Sequence, residues 1–299
     1  MLPKQRLKIA IQKKGRLLDD SVDLLYRCGL KFRINENALI SRVENLAIDV
    51  LFVRDDDIPI LVMDGVCDLG IVGENVLLEK EQDQRGNGKI PAFKLIKKLG
   101  FGECRLSIAF PEDKSFQNIT DFSGLCIATS YPNLLKAFLK NNKIESKILT
   151  ISGSAEIAPK LGIADAICDL ISTGRTLEEN NLKEVISLVN CQAVLIQSAQ
   201  AQSPEKKKIL ELLLQRLDGV IKARESKYIM FHAPITALEE IKKLLPGFET
   251  PTIMSLEGTT DKVAVHVVSR EGVFWDTLEK LKQAKASSIL VLPIEKMLD

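Results

Sequence analysis

The sequence predicts an α/β protein made of two similar lobes and a smaller C-terminal unit. Short apolar runs alternate with amphipathic helical stretches, and glycine-containing turns join them. Two of these turns match in spacing, because an Asp-Leu pair precedes a glycine in the same way in residues 68–73 and 169–174. Residues 228–292 follow the order strand, helix, strand, strand, helix, strand, which is the ferredoxin-like order βαββαβ.

Length and composition describe an ordinary globular protein. The 299 residues are enough for two or three domains with a substantial core. Hydrophobic residues make up 45% and charged residues 27% of the chain, and the net charge is +1 with both signs intermixed. Because no basic block or aromatic platform is present, we expect no nucleic-acid partner. We recognise no signal peptide and no apolar run that could span a membrane, so we expect no membrane partner and a cytoplasmic location.

The cysteines and histidines argue against a metal centre built from these residue types. The cysteines stand alone, without a CxxC pair, and we expect them to be small buried residues in a reducing cytosol. They are Cys28, Cys67, Cys104, Cys126, Cys168 and Cys191. His232 and His266 are the only histidines and lie far apart in the sequence. We therefore assign no metal ligand directly and no histidine-based catalytic triad.

The first lobe is expected to comprise residues 1–102 and 180–224. It begins with a strand at residues 7–11 and an amphipathic helix at residues 17–28. The turn between them contains a glycine and several basic residues at a helix N-terminus, a combination that suits anion binding. The alternative, which the sequence supports equally, is an ordinary strand-to-helix turn whose basic side chains are exposed to solvent. The candidate anion-binding residues are Gln12, Lys13, Gly15 and Arg16.

The rest of the first lobe supplies weaker candidates. Asp57 is expected to cap a helix that carries Pro59 in its first turn. We prefer this cap to a metal site, because the three consecutive aspartates 55–57 do not converge on one ion. Arg54 is a weaker candidate for anion binding. The other predicted elements are two strands within 37–54, a strand, glycine turn and helix at 68–77, and a surface loop at 82–89.

The second lobe is expected to comprise residues 103–179. Its predicted elements are strands at 104–110, 125–129 and 146–151, and helices at 134–140 and 153–159. Both lobes would offer helix N-termini to a shared cleft, which is the layout of a type II periplasmic-binding-protein fold. Solute receptors and ligand-sensing regulators share this fold, so the fold alone leaves both open. A receptor would need a secretion signal and a regulator a DNA-binding element, and we recognise neither.

Residues 165–177 carry the main functional signal. An apolar strand with Asp165 and Asp169 leads into a turn at Gly174, and a helix is predicted to begin near Thr176. Backbone N–H groups and hydroxyls at this turn would form a cradle of phosphate size. The two aspartates are expected beside the cradle, where they would bind sugar hydroxyls or face a Mg²⁺ ion. A parallel strand with a well-made helix cap is the alternative reading.

The sequence of the C-terminal part predicts a charged amphipathic helix at residues 204–224 and a separate ferredoxin-like unit at residues 225–299. A unit of this kind on an enzyme often senses a small molecule or mediates assembly. An additional stabilising domain is the alternative. The predicted strands are residues 228–231, 252–256, 263–268 and 288–292, and the predicted helices are residues 235–245 and 272–285.

Several ordered motifs together resemble the ATP phosphoribosyltransferase family. The run DAICDLISTGRTL at residues 165–177 resembles the phosphoribosyl-pyrophosphate (PRPP) loop of phosphoribosyltransferases. The resemblance extends over nearly the whole chain and includes the C-terminal unit, which marks the long form of the family. The motifs lie at residues 11–17, 53–59, 68–75, 128–132, 156–159, 165–177, 223–228 and 289–295.

The resemblance implies that the 5-phosphoribosyl group of PRPP is transferred to N1 of ATP with release of pyrophosphate, the first step of histidine biosynthesis. It also implies Mg²⁺ as cofactor, with few protein ligands. Histidine would inhibit through the C-terminal regulatory domain, and the chain would assemble as dimers and hexamers.

The resemblance also implies roles for individual residues. The PRPP 5′-phosphate would meet Ser172, Thr173, Gly174, Arg175 and Thr176, and Asp165 and Asp169 would hold the ribose or stabilise positive charge. ATP and the polyphosphate would meet Gln12, Lys13, Gly15, Arg16 and Arg54, with Glu74, Ser154 and Glu156 as weaker candidates. Histidine would bind between subunits at Thr252, Ala286, Ser287 and Ser288. The family usually has a small residue at position 175, so Arg175 either adds a phosphate contact or points to solvent.

Overall fold

Three β-sheets organise the chain. The computed structural model describes residues 5–34, 38–86, 88, 92–224, 226–244, 250–270 and 274–297. Packing divides the chain into two units, one of residues 1–23 with 30–209 and the other of residues 24–29 with 210–299. Two of the sheets belong to the first unit and one belongs to the second.

Strands and helices alternate along the first two thirds of the chain. The elements are β1 (Leu7–Gln12), α1 (Leu18–Arg27), β2 (Ile40–Arg42), β3 (Ile48–Val53), α2 (Asp57–Met63), β4 (Leu69–Gly73), α3 (Glu74–Gly86), β5 (Phe93–Lys98), β6 (Cys104–Pro111), β7 (Cys126–Thr129), α4 (Pro132–Asn141), β8 (Lys147–Thr150), β9 (Ala166–Ile171), α5 (Arg175–Glu179), β10 (Leu182–Cys191), β11 (Ala193–Ser198) and α6 (Pro204–Arg224). None of the described helices combines the length and apolar character that a membrane crossing requires.

The two sheets of the first unit share one topology. The first has the order β2-β3-β1-β4-β11-β5, and the second has the order β10-β6-β9-β7-β8. In each sheet three parallel strands, β3-β1-β4 or β8-β7-β9, are followed by two strands that each pair antiparallel with the strand before them. These two strands are β11 and β5 in the first sheet and β6 and β10 in the second. The equivalence of β4 with β9 is the one predicted from the matching turns, and β1 and β7 occupy equivalent places in the two orders. The two lobes are therefore two copies of one α/β pattern, as the sequence predicts.

The chain crosses between the two lobes twice. The first crossing, residues 99–103, leads from β5 to β6, and the second, at Gln192, leads from β10 to β11. The crossings bond to each other, because the Leu99 N–H donates to the Ala193 carbonyl at 3.0 Å and the Ala193 N–H donates to the Phe101 carbonyl at 2.9 Å. The Gly100 N–H also donates to Oε1 of Gln192 at 2.9 Å. These bonds make the two crossings one hinge.

Close packing holds the central strands between layers of helices. All five residues of β4 are buried, as expected for a parallel strand covered on both faces. A Cβ atom at Gly70 in this strand would lie 2.6 Å from Cγ2 of Ile58, so α2 packs directly on the glycine backbone. In the second lobe, three phenylalanines, Phe110, Phe116 and Phe122, stack over the sheet with centroid separations of 5.1–5.9 Å.

The second unit contains a ferredoxin-like sheet. Its elements are β12 (Ser226–Pro234), α7 (Leu238–Leu244), β13 (Thr252–Ser255), β14 (Lys262–Arg270), α8 (Phe274–Gln283) and β15 (Ser287–Pro293). The antiparallel order β13-β14-β12-β15 places the first and third strands in the middle, as the βαββαβ prediction requires. Ile229, Phe231 and Val265 lie in the core of this sheet, together with Leu281 of α8.

The structure corrects four details of the sequence prediction. The N-cap of α2 is Asp56 rather than Asp57, and its side chain makes no capping hydrogen bond. Helix α3 continues to Gly86, through most of the predicted loop at 82–89, of which residues 87 and 89 lie outside the described residues. Residues 153–159 contain only a 3₁₀ turn at Ala155–Ile157, because Pro159 and the left-handed Ser154 limit helix propagation. Finally, β10 pairs with β6, so the second lobe extends beyond the predicted boundary at residue 179.

Candidate active site

The carboxyl ends of the parallel strands meet in a cleft between the two lobes. Ligands of α/β sheets bind outside these strand ends. In the first lobe the cleft is formed by the segments after β1, β3 and β4, and in the second lobe by those after β7, β8 and β9. Asn75, just after β4, donates from Nδ2 to the Tyr131 hydroxyl, just after β7, at 2.9 Å. This bond shows that the two sets of strand ends face each other.

Glu79 bridges the lobes at the rim of the cleft. Its carboxylate on α3 accepts hydrogen bonds from the N–H groups of Asn133 and Leu134 at 2.8 and 2.9 Å, and from Nδ2 of Asn133 at 2.8 Å. It thereby satisfies the first turn of α4, whose own N-cap Tyr131 provides no side-chain cap. Burial raises the pKa of the Glu79 carboxyl, and these hydrogen bonds oppose the shift. No pattern in the sequence indicates this contact.

The turn after β1 is held in a fixed shape. The Leu17 N–H donates to Oε1 of Gln12 at 3.0 Å, and the Lys13 N–H donates to the Val53 carbonyl at 2.8 Å. Gly15 has a φ of +115°, and a Cβ atom there would lie 2.7 Å from Nε2 of Gln12. Gln12 is thus a structural support of the turn, and Gly15 is required by the backbone and by the Gln12 side chain above it.

Arg16 joins this turn to the hinge. Its Nη1 donates to the carbonyl groups of Gly102 at 2.9 Å and Glu103 at 3.3 Å. These two bonds use one of the nitrogens of an otherwise exposed side chain. Because a guanidinium carries five N–H donors in a planar fork, Arg16 keeps donors for an anion in the cleft.

Two further candidates of the first lobe lie at neighbouring strand ends. Arg54 follows β3 and is exposed. Glu74 follows β4 directly and pairs with Nζ of Lys98 at 3.1 Å, while its side chain is only 14% exposed. Its second oxygen, Oε2, is buried without a hydrogen-bond partner. Glu74 thus offers an unused acceptor near the end of β4.

Asp55 is a site residue that the sequence reading passed over. It follows β3, and its Oδ1 is buried without a hydrogen-bond partner. Burial raises the pKa of this carboxyl to about 6, the neighbouring Asp56 adds to the shift, and Arg16 opposes it. The Asp55 carboxylate also raises the pKa of Tyr131, together with Asp169 and after the larger effect of burial. Three consecutive aspartates were the available signal, and we interpreted them only as a helix cap.

We expect Asp55→Asn to make the protein more stable at neutral pH. The pKa of Asp55 in the folded protein, about 6, lies above the ordinary value of 3.8, so ionisation opposes folding, and the loss of stability grows as the pH rises from 3.8 to 6. The upper limit of this effect is about 3 kcal/mol. Thermal denaturation should show a higher Tm for the variant at pH 7.5 and a smaller difference near pH 4. Asp57→Asn, which changes an exposed residue at the start of α2, is the control. Equal Tm values of wild type and Asp55→Asn at pH 7.5 would contradict the expectation.

The predicted phosphate loop follows β9 as expected. Ser172 and Thr173 are exposed, and Gly174 has a φ of +87° at the N-cap of α5. Helix α5 begins at Arg175, one residue before the predicted start, and no side chain caps its first turn. Arg175 pairs with Glu179 through Nε at 2.8 Å, and its side chain is 82% exposed. Of the two alternatives for Arg175, this conformation corresponds to the solvent-facing one.

Asp169 lies near the loop, two residues before the end of β9. Its Oδ1 accepts a hydrogen bond from the Leu170 N–H at 2.7 Å. Burial raises the pKa of the carboxyl, the Leu170 hydrogen bond opposes the shift, and Glu156 adds to it. The structure therefore brings two predicted residues together, Glu156 and Asp169. Ser154 lies two residues before Glu156 in the chain, exposed and in the left-handed region with a φ of +52°.

Asp165 is not beside the phosphate loop. It precedes β9, whereas the loop follows β9, and six strand residues span roughly 20 Å. Its Oδ2 accepts a hydrogen bond from the Cys126 N–H at 2.9 Å, and its Oδ1 pairs with Lys114 at 3.4 Å. The Cys126 N–H holds the pKa of this carboxyl below its usual range. Four residues along an extended strand separate the two aspartates by about 13 Å, which the sequence reading overlooked.

Two cavities flank the cleft and differ in charge. A cavity of about 680 Å³ is lined by acidic residues, including Asp56, Asp57 and Asp83, and by none of the predicted phosphate-binding residues. A smaller cavity of about 400 Å³ is lined by Lys98 and Arg105 and includes Ser172 of the loop. Lys98 and Arg105 pair with Glu74 and Glu184, so the smaller cavity is distinguished by containing part of the predicted phosphate loop.

The described residues do not form a metal cage of their own. They contain no group of three or more His, Cys, Asp or Glu side chains that could hold a metal ion. The orphaned carboxylate oxygens of Asp55 and Glu74 are single acceptors rather than a coordination shell. A divalent ion at this site would have to obtain most of its ligands from the substrate phosphates and from water.

The residues predicted to bind histidine do not meet within one chain. Thr252 is on β13 and Ser287 and Ser288 are on β15, at opposite edges of the four-stranded sheet. Three strand spacings separate these edges by roughly 14 Å. A pocket that contains both groups would require residues from two chains.

Comparison with known families identifies the chemistry of this cleft. A family model described as ATP phosphoribosyltransferase matches residues 54–219, more than half of the 299 residues. The chain belongs to the ATP phosphoribosyltransferase family. A second model, described as the HisG C-terminal domain, matches residues 223–296. The two matches confirm the resemblance to the long form of ATP phosphoribosyltransferase.

A solved structure agrees with this assignment. The chain is similar to one from the "ATP phosphoribosyl transferase (HisG:HisZ) complex from Thermotoga maritima", with 27% identity, a TM-score of 0.58, and coverage of 71% of this chain and 98% of that chain. It also matches the alkanesulfonate-binding protein SsuA from Xanthomonas axonopodis pv. citri, with 17% identity, a TM-score of 0.44, and coverage of 71% and 72%.

Family membership confirms the predicted fold and activity. The enzyme is a pentosyltransferase that transfers the 5-phosphoribosyl group of PRPP to N1 of ATP and releases pyrophosphate. Inhibition by histidine is consistent with the C-terminal family domain. ATP phosphoribosyltransferases depend on a metal ion. The matches favour an enzyme over the two alternatives, the solute receptor and the ligand-sensing regulator.

Proposed function

We propose that PRPP binds across the cleft with its 5′-phosphate on the loop after β9. The cradle would consist of Ser172, Thr173, Gly174 and Thr176, together with the backbone N–H groups at the start of α5. The left-handed Gly174 and the uncapped first turn of α5 support this role, because both direct backbone donors towards the loop. Arg175 would contribute its N–H rather than its guanidinium, which pairs with Glu179.

We propose that Asp169 holds the ribose hydroxyls and stabilises the positive charge that develops on the sugar. Its place near the end of β9, a few residues before the cradle, supports this assignment. We drop Asp165 from this role, because its carboxylate is occupied by Cys126 and Lys114 at the other end of the strand. Glu156, which raises the pKa of Asp169, would act beside it, and Ser154 is a weaker contact.

The opposite lobe would bind the polyphosphate groups. Lys13 and Arg16 supply the charge, Gln12 and Gly15 hold the turn in shape, and Arg54 adds charge at the neighbouring strand end. The acceptor groups Glu74 and Asp55 would receive hydrogen bonds from ATP, since each has a carboxylate oxygen without a partner. Buried acceptors of this kind gain most from a ligand donor.

The reaction would proceed by attack of N1 of ATP on the anomeric carbon of PRPP. The new C–N bond forms as the bond to pyrophosphate breaks, and the leaving group takes the electron pair. Positive charge develops on the sugar and negative charge on the pyrophosphate, so positioning and electrostatic stabilisation supply the catalysis. Asp169 would face the positive charge, and Lys13 and Arg16 would face the negative charge.

Mg²⁺ is the metal ion we propose. A hard divalent cation of this kind binds through phosphate oxygens and keeps several water ligands, which fits a cleft without a protein metal cage. It would neutralise part of the pyrophosphate charge. The chain's own contribution is to position the phosphates on both lobes.

We further propose that histidine binds between subunits and that the enzyme is a homo-oligomer, as a dimer and a hexamer. The separation of Thr252 from Ala286, Ser287 and Ser288 supports an intersubunit pocket, because two chains are needed to bring the groups together. A cytoplasmic location is part of the same proposal, since ATP and PRPP are made there.

Ultraviolet absorbance of the purified protein with ATP, PRPP and Mg²⁺ tests the proposal. We expect a PRPP-dependent signal from N1-substituted adenine, with pyrophosphatase present to draw the reaction forward, and suppression of the signal by histidine. Omission of PRPP is the control. A signal that does not respond to histidine would remove the regulatory proposal and keep the enzyme. No signal from folded protein would contradict the catalytic proposal.

A further inference from the structure

Two cysteines face each other at the hinge between the lobes. Cys104 is the first residue of β6, directly after the first crossing, and Cys191 is the last residue of β10, directly before the second. The antiparallel register pairs Cys191 with Cys104. Directly opposed residues of antiparallel strands have Cα atoms about 4.5–5.5 Å apart. A disulfide needs about 4.4–6.8 Å, so the backbone already has the required spacing.

We propose that Cys104 and Cys191 form a reversible disulfide that ties the two interlobe crossings together. The bond would close across adjacent strands without a change of register. The two crossings carry any rotation of one lobe against the other, since they are the connections between the lobes. A covalent link at this point would restrict that rotation. The proposal goes beyond the transferase activity and does not depend on it.

Both cysteines are largely buried, and a cavity beside them is the route by which a small disulfide reagent would reach the pair. Both thiols are free in the structure, and both line the cavity of about 400 Å³ that also contains Lys98 and Arg105. Lys98 pairs with Glu74 and Arg105 pairs with Glu184, so the cavity provides a route for a reagent such as oxidised glutathione rather than a free positive charge. The cavity is also lined by Glu103 and Gln192, which are residues of the two crossings.

The electrostatics of the pair favour Cys104 as the first nucleophile. The hydrogen bond from Cys191 lowers the pKa of the Cys104 thiol, and Arg16 acts in the same direction against the effect of burial. The pKa of Cys191 is raised by the same hydrogen bond and by burial. Burial raises the pKa of Cys28 to about 12 and that of Cys67 to about 11, so these thiols compete poorly.

The reaction is a pair of thiol–disulfide exchanges. The Cys104 thiolate attacks one sulfur of oxidised glutathione, forms a mixed disulfide and releases one glutathione thiolate, which takes up a proton. Cys191 then loses its proton and attacks Sγ of Cys104, forms the Cys104–Cys191 bond and releases the second glutathione. Two protein thiols are oxidised and one glutathione disulfide is reduced.

Intact mass spectrometry after treatment of the full-length native protein with oxidised glutathione tests the proposal. The chain has six cysteines, so we expect four alkylatable thiols after oxidation, a peptide that links positions 104 and 191, and six thiols again after reduction. In Cys191→Ser we expect a glutathione adduct that persists on Cys104. Cys126→Ser, which removes the most exposed cysteine, is the matched control and should still form the linked peptide.

Three outcomes would overturn the inference. Six thiols that stay alkylatable in the treated wild-type protein would show that the pair does not oxidise. A link that involves a different cysteine would show that the pairing is wrong. Hydrogen–deuterium exchange at residues 99–105 and 190–193 should slow in the linked protein, and unchanged exchange would refute the effect on the hinge. None of these measurements uses the transferase assay, so their outcome is separate from that of the proposed function.

Discussion

Asp169→Asn should reduce kcat/KM by roughly 100-fold or more, the scale of losing one preorganised electrostatic contact in an active site. The variant keeps the size of the side chain and removes the negative charge that we place against the sugar. Asn can still accept the hydrogen bond from the Leu170 N–H, so the end of β9 should keep its conformation. Steady-state kinetics with ATP and PRPP would measure the change, and thermal denaturation would verify the fold.

The pH profile separates a role in charge stabilisation from a structural one. Burial raises the pKa of Asp169, so protonation begins at a higher pH than for an exposed aspartate. We expect kcat/KM of the wild-type enzyme to fall as the pH decreases through this raised pKa. The corresponding acidic limb should be absent from Asp169→Asn.

Asp165→Asn is the matched control for this prediction. It makes the same change in the same motif, but at the opposite end of β9, where the carboxylate bonds to Cys126 and Lys114. We expect kcat/KM within a few-fold of wild type and a modest loss of stability. If Asp169→Asn stayed within a few-fold of wild type, or Asp165→Asn lost as much activity as Asp169→Asn, the assignment would be wrong.

The sequence predicted the architecture because its signals are local and repeated. Apolar runs with glycine turns determine strands such as β4 and β9, and the long helix α6 was predicted with its observed bounds. The match between the turns at Gly73 and Gly174 identified equivalent strands of the two lobes. These features depend on residues within a few positions of one another, which a single sequence displays directly.

Contacts between distant segments were the part that the sequence did not reveal. The strand β10 was assigned to the wrong lobe, because its pairing with β6 depends on residues some 80 positions away. Glu79 bonds to the first turn of α4 across more than 50 residues. The buried state of Asp55 depends in the same way on tertiary packing. No periodicity or motif encodes such contacts.

For the candidate site the sequence predicts residue types but not the distances between them. The sequence predicts anion-binding turns at Arg16 and Gly174, because anion binding needs glycine and backbone N–H groups in a short stretch, and this role remains a proposal. The extended geometry of a strand places Asp165 and Asp169 far apart, although they are close in sequence. The resemblance to the family therefore identified the motif, and the structure showed that Asp165 and Asp169 lie at different ends of its strand.

Arg16→Met should reduce kcat/KM for PRPP by about 100-fold, because it removes the charge-assisted hydrogen bonds that we propose for the leaving pyrophosphate. The variant also loses the two hydrogen bonds to the carbonyls of Gly102 and Glu103, so the turn would be less firmly joined to the hinge. Arg16→Lys keeps a charge but cannot reproduce the planar fork, and we expect a partial loss. Initial rates at varied PRPP and at varied ATP would provide the comparison.

Lys14→Met is the control for Arg16→Met, because it removes an exposed positive charge two residues away in the same turn. We expect it to keep nearly full activity, since the effect of Arg16 depends on its position rather than on net charge. Equal losses in the two variants would attribute the effect to overall charge and contradict the assignment. Arg16→Met with activity within a few-fold of wild type would do the same, because a residue that contacts the leaving group cannot be dispensable for its departure.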